Sequence, residues 1–315
     1  MVSQLNNFLG RWMPFITPLG VLLGVLFSPT IKNFIYFVPY FFAAMTFEGA
    51  LGMNLSQLKE PLKKPLLLIL LLGFLHFLMP LWALAVGNTI FHGDFHTIAG
   101  IVIGFSIPTG ITSFIWISMK NGNKPLALTV IVMDAFLTPI ILPWILSLFI
   151  GQKVEIDVFQ MMTDLINMIV IPTILGLALT CYAKKLTRNV KTILAPFSKL
   201  FLGIIVMVNG AIVAPFIKNW DWKLIGIMLT VFFISISGYF FAFLLGRGQK
   251  MDVQSIVSFT FLGGMRNISS GAVIAIAYFP KAALIPIVTS MLFQQTLAAI
   301  FGSFLDKYRK FSISR

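Results

Sequence analysis

Long apolar runs separated by short polar loops make up most of this sequence. An α-helix needs about 20 predominantly apolar residues to cross a bilayer. Runs of about this length can be delimited ten times, at residues 9–27, 31–53, 65–87, 97–119, 125–150, 159–181, 193–216, 224–246, 255–278 and 282–304. The pattern predicts an all-α membrane protein with ten transmembrane helices.

Proline and glycine interrupt two of these segments near their middle. Segment four contains Ile107-Pro108-Thr109-Gly110, and segment nine contains Gly263-Gly264-Met265-Arg266-Asn267. A helix can break at membrane depth only where the freed backbone groups are buried in protein or line a cavity. Both segments are therefore predicted to be discontinuous helices. The residues expected where the two breaks cross are Pro108, Gly110, Gly263 and Gly264.

The two interrupted segments occupy matching places in the two halves of the chain. An ungapped offset of 157 aligns Ile111-Thr112-Ser113 with Ile268-Ser269-Ser270. This suggests two repeats of five spans, residues 1–152 and 153–306, followed by a short basic tail at 307–315. An odd number of spans reverses the orientation of the second repeat. Inverted repeats with paired broken helices are typical of secondary transporters, whose site lies where the breaks meet.

The composition excludes a soluble protein. Hydrophobic residues make up 58% of the 315 residues and charged residues only 10%, whereas soluble domains are about 25% charged. The net charge of +13 would suggest a nucleic-acid partner for a soluble chain. Here the positive residues lie in short loops between apolar runs, so a lipid bilayer is the expected partner and nucleic acid is not.

Lysine and arginine are distributed unevenly between the two sides that ten spans define. One side holds 17 of them and the other 5, while Arg266 lies inside a span. Cytoplasmic loops carry the excess of positive charge in membrane proteins. Both termini are therefore predicted to be cytoplasmic, in a multi-pass protein of the cytoplasmic membrane.

This topology predicts that an epitope tag placed after Arg315 stays inaccessible to antibody in intact cells. Permeabilising the same cells supplies the positive control. Antibody binding to the tag from outside intact cells would contradict the charge count.

Several short motifs follow the order and spacing of a known family. They are Leu51-Gly52-Met53-Asn54-Leu55, Phe77-Leu78-Met79-Pro80, Pro108-Thr109-Gly110-Ile111-Thr112-Ser113-Phe114, Asn121-Gly122-Asn123 and Gly264-Met265-Arg266-Asn267. Over nearly its whole length the chain resembles the bile acid:sodium symporter family in its bacterial ten-span form. The resemblance implies a four-helix panel of segments one, two, six and seven, and a six-helix core in which the broken helices cross. Substrate would lie in the crevice between panel and core.

The resemblance also implies sodium sites, and there the chain departs from the family. Ser113 keeps one oxygen ligand. The other corresponding positions hold Phe114, Ala127, Ile131, Leu262 and Arg266. Sodium is a hard cation that needs several oxygen ligands, and these side chains supply none. Both sodium sites are therefore predicted to be lost.

Arg266 is the strongest single signal for function. Placing an arginine at the bilayer centre costs about 2.5–3.5 kcal/mol or more, so such residues are paired and usually functional. It is either a fixed cation that replaces sodium or binds an anionic substrate, or a member of a structural ion pair. Asp134, in segment five, is its expected partner. If Asp134 is unpaired, burial would favour its protonated form and make it a proton carrier.

Two further ionisable residues are candidates for ion or proton coupling. Glu48 lies about one turn from the cytoplasmic end of segment two, where it either reaches the membrane interface or faces the crevice. His76 lies one residue from the position of a sodium-binding glutamine in the family. It either packs between helices as a polar contact or takes part in a proton relay.

Small polar residues flank both breaks and are predicted, with Arg266, to bind substrate. The alternative is that they only mediate helix packing. A half-helix that begins after a break presents the positive end of its dipole, which suits a carboxylate. The predicted substrate-binding residues are Thr109, Thr112, Ser113, Asn267, Ser269 and Ser270.

No pattern in the sequence indicates an enzyme, a cofactor or a metal site. The single Cys181 excludes an intrachain disulfide framework and a cysteine metal cluster. His92, Asp94 and His96 form an H-x-D-x-H stretch that is expected to be a solvated loop. No nucleophile–base motif or phosphate loop is present in the sequence.

The predicted function is a secondary transporter or facilitator of a small organic anion, working by alternating access without sodium coupling. One alternative is a sodium-coupled symporter whose ion ligands lie elsewhere. Another is a non-transporting membrane sensor or scaffold with the same fold. A monomer is expected, and protons are a candidate coupling ion. The sequence decides neither the substrate nor the direction of transport.

Overall fold

The computed structural model describes residues 2–53, 58–150, 157–218 and 221–313. Over these residues the predicted all-α class is confirmed, because the described chain forms helices and no strand. The principal helices are α1 (Val2–Leu26), α2 (Val38–Ala50), α3 (Pro65–Ile90), α4 (Phe95–Ser106), α5 (Thr112–Met119), α6 (Lys124–Ile150), α7 (Val158–Tyr182), α8 (Lys184–Lys218), α9 (Trp222–Gly248), α10 (Val253–Gly264), α11 (Ile268–Tyr278) and α12 (Leu284–Ile313).

Six helices in the described ranges, α3, α6, α7, α8, α9 and α12, are long and apolar enough to cross a membrane. A seventh candidate joins the end of α1 to the stretch Ser28–Ala50, with a bend of 95°. This count does not confirm the predicted ten spans, two of which were expected to be discontinuous. Segments four and nine are each divided, and α4 and α10 contain 12 residues apiece. At 1.5 Å per residue such a helix is about 18 Å long, roughly half of what a bilayer requires.

The helices pack in two groups. In the first, α1 packs against α8, and α2 packs against both α7 and α8. In the second, α3 packs against α4, and α9 packs against α10. Helix α12 of this group packs against both α4 and α9. The backbones of α1 and α8 approach so closely that a Cβ on Gly24 would lie 2.0 Å from the Met207 carbonyl oxygen. Such small-residue contacts are common between membrane helices.

Helix α3 contains a π-helical segment at Phe74–Leu78 that frees one carbonyl group. The N–H of Met79 donates to the Phe74 carbonyl, five residues back, instead of to Leu75. The next residue, Pro80, has no N–H to donate. The Leu75 carbonyl is therefore left without a partner from its own helix, and a side chain from elsewhere can reach it.

Helix α10 ends at Gly264, and a substitution at this glycine tests the packing of α9 against α10. A Cβ on Gly264 would lie 2.2 Å from the ring of Tyr239, which is itself fully buried. Gly264→Ala should destabilise the protein by about 1–3 kcal/mol, the usual cost of overpacking a core. The measurement is the apparent melting temperature of the purified protein in detergent.

Gly73→Ala is the matched control, because a Cβ at Gly73 meets nothing within 4 Å. It should leave the melting temperature unchanged or raise it slightly. Equal stability of the two variants would contradict the tight approach of α9 and α10.

Candidate functional site

The two helix breaks lie against each other and complete each other's hydrogen bonds. Thr109 and Arg266 form an antiparallel bridge. The N–H of Asn267 donates to the Pro108 carbonyl at 2.8 Å, and the N–H of Gly110 donates to the Met265 carbonyl at 3.4 Å. Backbone groups that leave a helix at this depth need such partners, because no lipid group can supply them.

The Arg266 side chain leaves this bridge and is held by main-chain carbonyl groups. Its exposed fraction is 3%. Nη1 lies 3.4 Å from the carbonyl oxygen of Ile107, at the first break, and Nη2 lies 3.5 Å from that of Leu75. The second acceptor is the carbonyl that the π-helical segment of α3 leaves free. The Arg266 backbone N–H donates to Oε1 of Gln294 in α12, at 3.1 Å.

Asp134 in α6 is almost completely buried, with an exposed fraction of 1%. Its Oδ2 accepts the backbone N–H of Thr109 at 2.6 Å, and its Oδ1 accepts the hydroxyl of Thr138 at 3.2 Å. Nε2 of His76 lies 3.0 Å from Oδ1. This contact has the distance of an ion pair, although its direction is not that of a well-formed hydrogen bond.

The expectation that Asp134 pairs directly with Arg266 is wrong. Among the described residues, the ion-pair partner of Asp134 is His76. The reason is geometric: the Arg266 side chain extends to the carbonyls of Leu75 and Ile107, while the adjacent residue of α3 reaches the carboxylate. Arg266 still acts on Asp134 electrostatically over a longer distance.

A cavity of about 320 Å³ lies between the first helix group and the two breaks. Four of the predicted substrate-binding residues line it, namely Thr112, Arg266, Asn267 and Ser269. The crossing glycine Gly110 also lines it. Polar residues that the sequence had not singled out complete the wall, and they are Asn6, Ser198, Lys199, Gln294 and Gln295.

Lys199 and Glu48 are the charged side chains of α8 and α2 that face this cavity. Nζ of Lys199 lies 2.7 Å from both the carbonyl oxygen and Oδ1 of Asn6. Ser198 donates a hydrogen bond to Glu48, and Lys199 interacts with Glu48 electrostatically. Of the two interpretations of Glu48, the structure therefore supports the one in which it faces the crevice. The sequence had assigned Lys199 only to the cytoplasmic loops.

The remaining predicted site residues lie behind the cavity wall. Thr109 binds Asp134, and its hydroxyl approaches the Leu262 carbonyl at 3.5 Å. Ser270 donates to the Asn267 carbonyl at 2.6 Å. Ser113 is fully buried, and its hydroxyl has no hydrogen-bond partner among the described residues. Pro108 lines a smaller neighbouring cavity.

Gly263 and Gly264 end α10 at the second break, on the side of α9. Both are predicted crossing residues, and neither is among the residues that line the large cavity. A Cβ on Gly263 would lie 2.4 Å from Cβ of Ala242. Both glycines therefore permit close packing against α9, and Gly263 also lies close to the Phe74 ring of α3.

Two half-helices begin at the cavity. α5 starts at Thr112 and α11 at Ile268, and both residues line the cavity wall. Neither helix has a side-chain cap at its N-terminus. Uncapped N-terminal N–H groups carry partial positive charge, so this wall favours an anionic group.

The H-x-D-x-H stretch has a structural role at the start of α4. Asp94 caps the N-terminus of α4 and pairs with Lys223 at 2.7 Å. Burial acts to raise the pKa of Asp94, but the hydrogen bonds from Lys223 and Thr97 hold it below the usual value. His92 and His96 are exposed. The described residues contain no cluster of three or more His, Cys, Asp or Glu side chains that could hold a metal.

Comparison with known proteins places this arrangement in a family. The sequence model of the SBF-like CPA transporter family matches residues 19–310. The chain belongs to this family. The resemblance to bile acid:sodium symporters seen in the sequence is thereby confirmed, and with it a membrane protein of a transporter family.

Individual relatives extend over most of the chain. YbaS of Bacillus subtilis is 45% identical over 94% of this chain and 97% of its own length. The uncharacterized sodium-dependent transporter YocS of the same organism is 22% identical over 91% of this chain and 88% of its own. The probable sodium/metabolite cotransporter BASS1 of rice is 24% identical, over 73% of this chain and 56% of its own length.

The contacts of Asp134 predict a difference between two double-mutant cycles. His76→Gln and Asp134→Asn should show a coupling of about 0.5–3 kcal/mol in unfolding, the range for residues in direct contact. Arg266→Gln and Asp134→Asn should couple more weakly, because their side chains are not in contact. Apparent melting temperatures of the four variants of each cycle provide the measurement. A stronger coupling to Arg266 than to His76 would contradict the assignment of partners.

Proposed function

We propose that this chain is a secondary transporter or facilitator of a small organic anion, working by alternating access without sodium coupling. One observation carries the proposal: the two helix breaks and Lys199 face the same cavity, of about 320 Å³. Transporters with paired broken helices bind substrate where the breaks meet. The cavity has the size of a small-molecule site, for which about 300–1,000 Å³ is usual.

The proposal includes the ten-span arrangement with two inverted repeats. In this arrangement α4 and α5 together form one discontinuous span, and α10 and α11 form another. The group of α1, α2, α7 and α8 acts as the panel. Movement of the other helices against this panel would open the cavity to each side in turn. The proposed repeat boundary at 152 and 153 lies outside the described residues, as do 314 and 315 of the basic tail. α12 continues through the tail to Ile313.

Both termini are proposed to be cytoplasmic, in the cytoplasmic membrane. The cavity is lined by Asn6, near the N-terminus of α1, and by Lys199, in the N-terminal half of α8. In the proposed topology this is the cytoplasmic side, so the cavity would open inward in this conformation.

The charges around the cavity support an anion as substrate. Lys199 and the N-termini of α5 and α11 contribute positive potential, and Glu48 contributes the opposing charge. The Arg266 guanidinium is held by the carbonyl groups of Ile107 and Leu75, neither of which lines the cavity. We therefore assign direct contact with the anion to Lys199, and a long-range electrostatic role to Arg266.

The surroundings of Arg266 support the proposal that transport is not coupled to sodium. Its guanidinium is bound by carbonyl oxygens, as a metal cation would be. Two positive charges 4 Å apart repel by about 4 kcal/mol at an effective dielectric constant of about 20. Ala127, Ile131 and Leu262 stand at positions where the family has ion ligands. All three are buried, and their side chains offer no oxygen. A fixed cation cannot be released, so uphill transport would require protons or exchange.

A sodium-coupled symporter is the second candidate. Two relatives, YocS and BASS1, carry sodium in their names. The observation in its favour is the buried Ser113 hydroxyl, which has no partner among the described residues. One hydroxyl does not make a sodium site, because sodium needs several oxygen ligands.

A thermal-shift screen of the purified protein against organic anions tests the proposal. A ligand that binds only the native state raises the melting temperature. Lys199→Met should weaken the binding of any stabilising anion about tenfold or more, because a hydrogen bond to a charged group contributes about 1.5–3 kcal/mol. The shift should be the same in sodium and potassium buffers.

Lys191→Met is the matched control, two turns earlier on α8. Its Nζ binds the Leu51 carbonyl oxygen at 2.5 Å, outside the cavity. Lys191 does not line the cavity, although it acts electrostatically on Glu48, so this variant should change anion binding much less than Lys199→Met does. If no organic anion stabilises the wild-type protein, or if both variants bind anions as the wild type does, the proposed site is wrong.

A further inference from the structure

His76 and Asp134 form a buried ionisable pair that the cavity does not use. Their exposed fractions are 2% and 1%. Nε2 of His76 contacts the carboxylate at 3.0 Å, and Nδ1 has no hydrogen-bond partner among the described residues. A buried polar nitrogen without a partner is costly. A purely structural contact would not require a ring nitrogen of His76 to remain without a hydrogen-bond partner. We refer to this unpartnered nitrogen, Nδ1, as the open ring nitrogen.

The pair is connected to the helix crossing through Thr109. The other carboxylate oxygen of Asp134 accepts the Thr109 N–H, and Thr109 forms the bridge to Arg266. From the other side, His76 follows Leu75, whose carbonyl binds the Arg266 guanidinium. A change in charge at the pair therefore acts on both breaks at the point where they cross.

Protonation of His76 changes the net buried charge around the pair. The charged groups that act on the pair, among the described residues, are those of the pair itself and Arg266. With neutral His76, the charges of Asp134 and Arg266 cancel. A proton on His76 leaves one net positive charge in a low-dielectric region, and this is costly unless a negative charge is nearby. An anion in the adjacent cavity, whose wall includes Arg266 and Asn267, supplies that charge.

We infer that His76 and Asp134 are a proton-binding site, loaded together with the anion, so that transport is proton–anion symport. The proton comes from water on one side, adds to the open ring nitrogen of His76 and returns to water on the other side. The carboxylate of Asp134 and the bound anion stabilise the imidazolium meanwhile. This inference rests on the proposed function for the anion, but the proton site itself can be tested without a substrate.

The first test is a pH titration of the full-length purified protein labelled with ¹⁵N-histidine, between about pH 5 and 8, where histidine normally changes charge. His76→Gln identifies the signals of His76. We expect His76 to become cationic within this range. Asp134→Asn should move its midpoint to lower pH, because the imidazolium loses its carboxylate, and Arg266→Gln should move it to higher pH.

His96→Gln is the matched control, because His96 is exposed and outside the pair. It should leave the His76 titration unchanged. Asparagine at 134 retains an oxygen for the Thr109 N–H, so this variant keeps the contact to the break. A His76 that stays neutral at every pH, or a midpoint that Asp134→Asn does not move, would overturn the inference.

The second test is uptake into proteoliposomes, with taurocholate and pyruvate as probe anions. Acid outside should accelerate wild-type uptake of a transported probe. His76→Gln should lose this acceleration, whereas the control His96→Gln should keep it. Uptake that ignores the pH gradient in the wild type would overturn proton coupling while leaving anion transport intact. If neither probe is transported, the proposed function loses support and the histidine titration alone decides the proton site.

Discussion

Two interrupted helices at membrane depth require partners for their freed backbone groups, and the rest of the site follows from how those partners are found. Lipid offers none, so the breaks must satisfy each other. They do so through the bridge between Thr109 and Arg266 and the flanking bonds of Asn267 and Gly110. This arrangement places two helix N-termini at one cavity and leaves the Arg266 side chain to be accommodated behind it.

The accommodation of Arg266 links three separate elements. The Ile107 carbonyl comes from the first break, and the Leu75 carbonyl comes from a π-helical turn that Pro80 cannot complete. Asp134 provides the compensating negative charge without direct contact. Because Asp134 also holds the Thr109 N–H, the cation, the carboxylate and the crossing form one connected unit. An internal cation of this kind would do permanently what a bound sodium ion does reversibly.

Much of the fold could be predicted from the sequence, whereas the partner of Asp134 and the position of Lys199 could not. Pro108, Gly110 and the Gly263-Gly264 pair marked both breaks. Proline alone is not a sufficient signal, because Pro139 and Pro143 lie inside the continuous helix α6. The partner of Asp134 could not be predicted, because the π-helical segment changes the direction in which residues of α3 point. A regular helical period does not apply across residues 74–78.

Lys199 was missed for a different reason. Counting positive residues assigns a lysine to a side of the membrane, but not to the face of its helix. α8 continues from the loop into the membrane without interruption, so one of its loop-side lysines turns into the cavity. Glu48 had two open interpretations for the same reason. Only packing of α2 against α8 places it beside Ser198 and Lys199.

The central claim is that Arg266 takes the place of the coupling sodium ions. The most direct measurement is initial uptake of radiolabelled taurocholate and pyruvate into proteoliposomes, with all sodium replaced by potassium or choline at constant ionic strength. If Arg266 replaces sodium, the rate for a transported anion is unchanged. A rate that collapses without sodium and recovers with saturable dependence on the sodium concentration would contradict it.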